Sequence, residues 1–161
     1  MSQRIVSPCV GLCSTTVGDS VCRGCQRHDV EIHDWMTMSS EQRECRIQEL
    51  DAMRVEVATR FLCVVDAQCL EDQLKRYRVR FRDAQPALSR VVELLRVGRD
   101  RIQDLSRYGI ALEPSAPDDP QQLYVALGQA LAEAGERRRR GEPDARSCER
   151  LEDERLEDSA I

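Results

Sequence analysis

Cys9-x3-Cys13 and Cys22-x2-Cys25 place four thiols within the first twenty-five residues, with eight residues between the pairs. Two short-range cysteine pairs on a short connector are the spacing of a tetrathiolate metal site. Each pair presents two sulfurs from one tight turn, and the connector lets the turns face each other. Gly24, inside the second pair, suits a knuckle turn that needs backbone freedom. Gly11 does the same inside the first pair, and Pro8 stiffens the approach. His28 follows Cys25 at a further x2 spacing and offers an alternative site of three thiolates and one imidazole. Four thiolates already close the shell, however, so a surface histidine beyond the knuckle is the plainer reading. His33 has the weaker claim.

Zinc and an iron–sulfur cluster both accept four thiolates, and residue type does not separate them. A head of about forty residues with little apolar content cannot fold by burial alone, so bound metal must supply much of its folding free energy. The other four cysteines are Cys45, Cys63, Cys69 and Cys148. None has a close-spaced partner, and they are left out of the site. The chain opens Met1-Ser2-Gln3-Arg4 without the apolar segment of a signal peptide, and no stretch approaches a membrane span. A cytoplasmic location is therefore expected, where thiols stay reduced and paired cysteines more often bind metal than each other.

Ser7-Pro8-Cys9-Val10, Cys13 and Cys22-Arg23-Gly24-Cys25-Gln26-Arg27 resemble the opening of a small bacterial family. Glu31-Ile32, Trp35, Met38-Ser39 and Gln42-Arg43 continue the likeness in register. This is domain of unknown function 1289, described as predicted iron–sulfur proteins. The likeness covers roughly residues 7 to 45 and implies four cysteine ligands but no reaction. His28 departs from it, since the family commonly places a small hydroxyl residue after the arginine.

The elements that would position these sulfurs follow from periodicity. Residues 29–35 read as a short helix with Ile32 and Trp35 on one face. Trp35, the single tryptophan, would cover the knuckle from its apolar side, or simply pack in the core. Arg27 is placed to donate to a thiolate sulfur. Ser39 and Gln42 make a capping box, and Ile47, Leu50, Met53, Val57 and Phe61 follow as an amphipathic stripe. Cys63, Ala67, Leu70, Leu74, Tyr77 and Phe81 continue as a seam. No glycine or proline marks a boundary between helices in residues 46–82, and the apolar run 62–65 is the expected bend. Leu88, Val91, Leu95, Ile102 and Leu105 form the next stripe, begun by Pro86 and ended by Gly109. The short connection at residues 83–86 favours antiparallel pairing of the two stripes.

The expected fold class is all-α: a four-cysteine metal-bound head over residues 1–45, then a helical hairpin or bundle over 46–110. A linker over 111–120 leads to a C-terminal helix and an acidic, disordered tail over 121–161. Asp119 and Pro120 would start that helix as N-cap and first residue. Net charge runs −2, +3 and −6 over residues 1–45, 46–110 and 111–161.

Lys75 to Arg82 interleaves Arg76, Arg78, Arg80 and Arg82 with Tyr77 and Phe81, a footprint compatible with single-stranded nucleic acid. A continuing helical seam explains the same residues as its solvated flanks. The run Arg137 to Arg140 lies near acids that could neutralise it. An overall pI near 5.2 argues against a general nucleic-acid binder. No Gly-rich phosphate loop, nucleophile elbow or helical histidine pair is present, so no catalytic constellation or small-molecule substrate is evident. The functional expectation is a metal-binding accessory protein whose partner is another protein. An iron–sulfur redox or electron-transfer accessory is the first alternative. A nucleic-acid-binding regulator using the arginine-rich segment is the second.

Overall fold

A computed structural model describes residues 7–141. Five helices dominate: α1 (Asp29–Asp34), α2 (Ser40–Ala58), α3 (Ala67–Arg76), α4 (Ala87–Gly98) and α5 (Pro120–Arg139). Two short strands, β1 (Leu62–Val64) and β2 (Ile110–Leu112), form an antiparallel pair. The chain divides into two compact units. Residues 7–53 with 132–141 belong to one, and Arg54–Leu131 forms the other.

The helix starts have local causes. Ser39 Oγ accepts from Gln42 N at 3.2 Å while Gln42 Oε1 accepts from Ser39 N at 2.9 Å, the reciprocal capping box at the head of α2. Asp66 caps α3 through Cys69 N at 2.9 Å. Asp119 accepts from Gln122 N at 3.1 Å ahead of Pro120, whose missing N–H costs nothing in a first turn.

In the first unit, Ile47, Leu50 and Met53 of α2 are buried, as are Trp35 and Ala134. In the second, Leu70 and Leu74 of α3, Val91 and Leu95 of α4, and Leu123 and Leu127 of α5 make an apolar core. Arg90 Nη1 of α4 meets Glu71 Oε2 of α3 at 3.0 Å, so the two helices are neighbours across their short connection. Among the described residues no helix is long and apolar enough to cross a membrane.

The structure corrects several expectations. The fold is mostly helical but not all-α, because the apolar run at 62–64 pairs as a strand instead of bending a helix. Its register is Leu62 to Leu112, Cys63 to Ala111 and Val64 to Ile110. The stretch from 46 to 82 is two helices separated by that strand. The seam expected to run on to Phe81 also stops early: Tyr77 closes α3, and Arg78 follows in the left-handed region at φ 56°. Helical periodicity persists in the sequence, but only Leu70 and Leu74 of the seam are fully buried; Cys63, Ala67 and Tyr77 are exposed.

Gly109 ends a 3-10 turn (Leu105–Tyr108), not α4 itself. Its φ is 71°, and the Asp66 carbonyl oxygen fills the space where a Cβ would stand, so both conditions demand glycine. That close approach lets Gly109 O accept from Val65 N and Asp66 N at 2.8 and 3.1 Å, extending the strand pairing to the cap of α3.

Candidate metal centre

The second cysteine pair lies in a tight hairpin. Cys22 N donates to Arg27 O at 2.8 Å, Gln26 N donates to Cys22 O at 2.9 Å, and Val21 bridges His28. Gln26 takes the left-handed position at φ 61° that turns the chain back after Cys25. Its buried amide Nε2 donates to the carbonyls of Arg23 and Gly24 at 3.1 and 3.3 Å, fixing the turn from inside. Gln26 is part of the hairpin's framework, which cysteine spacing did not reveal.

Gly24 is needed for space and not for a positive φ. A Cβ there would stand 2.5 Å from Val10 Cγ2 and 2.9 Å from Leu12 O. The first cysteine turn therefore rests directly on the second. Arg23 N donates to Ser14 Oγ at 2.9 Å, and the Cys22 thiol donates to Leu12 O at 3.4 Å. Three separate contacts thus hold the two cysteine-bearing turns side by side.

The sulfurs have distinct surroundings. Burial pushes the Cys22 thiol up, but backbone hydrogen bonds from Cys25, Ser14 and Gly24 outweigh it and leave the thiol below its ordinary range. Burial wins at Cys25, whose thiol is raised although Arg27 opposes the shift. Arg27 Nε donates to Cys25 Sγ at 3.3 Å, and its guanidinium lies 4.6 Å from the Trp35 ring centroid. Arg27 is itself buried, as is Trp35. Trp35 Nε1 is buried with no hydrogen-bond partner among the described residues, leaving a donor without an acceptor in the same neighbourhood as Arg27.

Cys9 Sγ accepts from Gly11 N at 3.4 Å, and Cys13 Sγ lies 3.0 Å from Thr15 Oγ1. Both are half-buried. Among the described residues no group of three or more His, Cys, Asp or Glu side chains is gathered at metal-holding distance. The backbone paths of the two turns meet, while the first pair of sulfurs bonds locally.

His28 is committed elsewhere. Its Nδ1 accepts from Glu31 N at 3.1 Å as the N-cap of α1, and Nε2 lies 3.9 Å from Glu31 Oε2. Burial holds its imidazole below the usual range.

Glu31 opens onto a feature that sequence reading missed. Arg138 of α5 donates through Nη1 and Nη2 to Glu31 at 2.9 and 2.5 Å, and through Nη2 to Glu49 of α2 at 2.8 Å. All three side chains are buried. Burial would lower the Arg138 pKa, but Glu31 and Glu49 raise it instead. The arginine run is therefore not one solvated cluster: Arg138 goes inward, while Arg139 and Arg140 pair with Glu136.

Residues 7–54 match the family described as Protein of unknown function (DUF1289). The chain carries a DUF1289 segment. It spans both cysteine turns, α1 and most of α2, so Arg27, Glu31, Trp35, Glu49 and the capping box all fall inside it. Arg138, which neutralises two of its buried carboxylates, lies outside the matched residues. No curated protein and no solved structure matches the chain.

Outside the DUF1289 segment, Arg76 ends α3 with its guanidinium 5.7 Å from the Tyr77 ring centroid. Arg78, Arg80 and Arg82 follow on the irregular path to α4, so the expected helical flank does not form. Cys63 is exposed on β1 and Cys69 half-buried on α3, both as free thiols, whereas Cys45, half-buried on α2, is disulfide-bonded and not the unpartnered thiol its spacing suggests. Cys148 lies outside the described residues.

Proposed function

We propose that Cys9, Cys13, Cys22 and Cys25 hold one metal centre and that the protein acts as a metal-bound accessory module for a protein partner. The observation that carries this reading is the seating of Val10 and Leu12 on Gly24, which sets one cysteine turn against the other. The donor chemistry supports it: four soft thiols on two adjoining turns suit zinc or an iron–sulfur cluster. Buried donors beside them, Arg27 and the unpartnered Trp35 Nε1, are of the kind that offset thiolate charge. Bound zinc would supply folding free energy, and an iron–sulfur cluster would add one-electron transfer.

This chain's own residues contribute the frame. Gln26 holds the knuckle, Arg27 keeps a cation against Cys25, and Trp35 covers Arg27. Cys9 and Cys13 would exchange their present local partners for the metal. The four ligand thiols must stay reduced for this, which suits a reducing compartment such as the cytoplasm, although Cys45 is itself disulfide-bonded.

Metal analysis of protein purified without air tests the proposal. About one equivalent of zinc per chain supports a structural module, whereas iron with acid-labile sulfide supports the redox accessory. Serine at any of the four cysteines should lower metal content, while serine at Cys63 or Cys69 should leave it unchanged. Full metal occupancy after replacing two of the four would overturn the assignment.

A further inference from the structure

The second unit contains a cleft of about 420 Å³. Arg76, Arg101 and Arg107 line it together with Tyr77 and Tyr108. Its volume is that of a small-molecule site, not a broad docking face. These three arginines differ from many others among the described residues. Arg46, Arg54, Arg90, Arg96 and Arg138 all have carboxylate partners, but Arg76, Arg101 and Arg107 form no ion pair among the described residues. Three cations around one cavity gain nothing from one another. Planar guanidinium groups on a shared rim are fitted instead to an anion with several oxygens, phosphate above all.

One carboxylate is present, and it does not cancel the set. Asp104 Oδ1 accepts from Ser106 N at 2.9 Å and from Ser106 Oγ at 2.6 Å, the cap of the 3-10 turn, and these bonds, with the Arg107 charge adding to them, hold its carboxyl below the ordinary range. Three positive charges against one negative leave the cleft cationic.

The aromatic pair adds the second half of the specificity. Tyr77 and Tyr108 have ring centroids 6.2 Å apart, tilted by 36°. Tyr77 is 55 % exposed, a large ring left open at the cleft. Gln73 and Gln103 place amides on the same lining, each able to donate and accept. Rings for stacking, amides for edge hydrogen bonds and arginines for phosphate together match a nucleotide.

We propose that the cleft between the end of α3 and the 101–108 segment binds a nucleotide, with Arg76, Arg101 and Arg107 on its phosphate and Tyr77 against its base. Free nucleotides and the phosphorylated end of a nucleic acid share this chemistry. The cleft is independent of the metal centre, since no cysteine lines it.

Calorimetric titration of the full chain with AMP, adenosine, ribose 5-phosphate, inorganic phosphate and 5′-phosphorylated tetra-adenylate tests it. AMP should bind at least about tenfold more tightly than adenosine, ribose 5-phosphate or inorganic phosphate, because each lacks either the anion or the ring. Arg101→Gln and Arg107→Gln should each weaken AMP by at least about tenfold, and Tyr77→Ala should do the same through lost stacking. Arg80→Gln, outside the lining, should leave AMP binding unchanged. All four positions are exposed, so these variants should retain the fold, and an unchanged far-UV spectrum checks that they do. Tighter binding of the tetra-adenylate than of AMP identifies a nucleic-acid end as the source; equal or weaker binding identifies the free nucleotide. No heat with AMP at about 1 mM would overturn the proposal, as would AMP affinity that Arg101→Gln and Arg107→Gln leave intact or that inorganic phosphate equals.

Discussion

Arg138 grips Glu31 through two hydrogen bonds, of 2.9 and 2.5 Å, across 107 positions of sequence. Glu31 lies in a six-residue helix just after the cysteine hairpin, and Arg138 comes from the last turn of α5. Neither charge would tolerate burial alone; Glu49 shares Arg138, and Arg46 reaches Glu49 at 3.1 Å and Glu31 at 3.9 Å. The head is thus assembled from both ends of the described chain.

Arg138→Met should be among the most destabilising substitutions in the head. It leaves buried Glu31 with Arg46 only at 3.9 Å and Glu49 with Arg46 at 3.1 Å, so the cost should approach but not exceed the about 3–5 kcal/mol of a fully orphaned buried charge. Adding Glu31→Gln and Glu49→Gln should recover part of that loss. Arg139→Ala removes only a solvent-screened pair with Glu136 and should leave stability almost unchanged. Chemical denaturation of these variants beside the unmodified protein measures the contrast, and equal effects for Arg138 and Arg139 would show that burial of the network contributes nothing.

Gly24→Ala should part the two cysteine turns. Its methyl would meet Val10 Cγ2 at 2.5 Å and the Leu12 carbonyl at 2.9 Å. The side chain of Val10 can shift, but the carbonyl oxygen belongs to the backbone. Overpacking of this kind costs about 1–3 kcal/mol. Val10→Ala in the same chain should give only partial relief, and metal content should fall along with stability.

Arg27→Lys keeps the charge but loses the planar face over Trp35 and the fixed Nε donor to Cys25. The Trp35 emission should shift as its cover is removed. Stability should fall by about 0.5–2 kcal/mol, the span from an exposed to a desolvated cation–π pair. Identical emission in Arg27→Lys and the unmodified protein would mean that the stacking does not shape the indole's surroundings.

Chelation should act on the head before the helices. The second unit has its own apolar core in Leu70, Leu74, Val91, Leu95, Leu123 and Leu127. Trp35 fluorescence should therefore change while most of the far-UV helical signal remains. Simultaneous loss of both signals would show instead that the two units melt as one.

Glu136 titrates far from the ordinary glutamate range. Hydrogen bonding from Arg139, with Arg140 adding to it, lowers its carboxyl to about 2. A depressed folded-state pKa contributes stability above the unfolded carboxylate range and loses it as pH falls toward the folded value. The contribution at the end of α5 should therefore fade between about pH 4.5 and pH 2, and salt should weaken it because the pair is exposed. Carbon NMR of the Glu136 carboxyl follows the titration directly; an ordinary glutamate midpoint would contradict the pairing.

Residue spacing alone determined the two cysteine turns, the capping box at Ser39 and Gln42, the start of α5 at Asp119-Pro120 and the DUF1289 likeness. These depend on groups a few positions apart, so local geometry dictates them. The break after Ala58 was not legible in that way. Leu62 to Val64 becomes a strand only because Ile110 to Leu112 is present to pair with it, and a strand's hydrogen bonds belong to its partner. Tyr77 and Phe81 keep helical spacing beyond the end of the helix, because periodicity records which residues are apolar and not which are buried. The same limit hid the remaining features. Arg138 sits in a run of four arginines that differ in nothing until folding sends one inward to Glu31 and Glu49. Arg101 and Arg107 join Arg76 and Tyr77 only through the turn capped by Gly109. Charge and ring placement across such separations is decided by tertiary packing, which brings together groups whose spacing along the chain carries no signal.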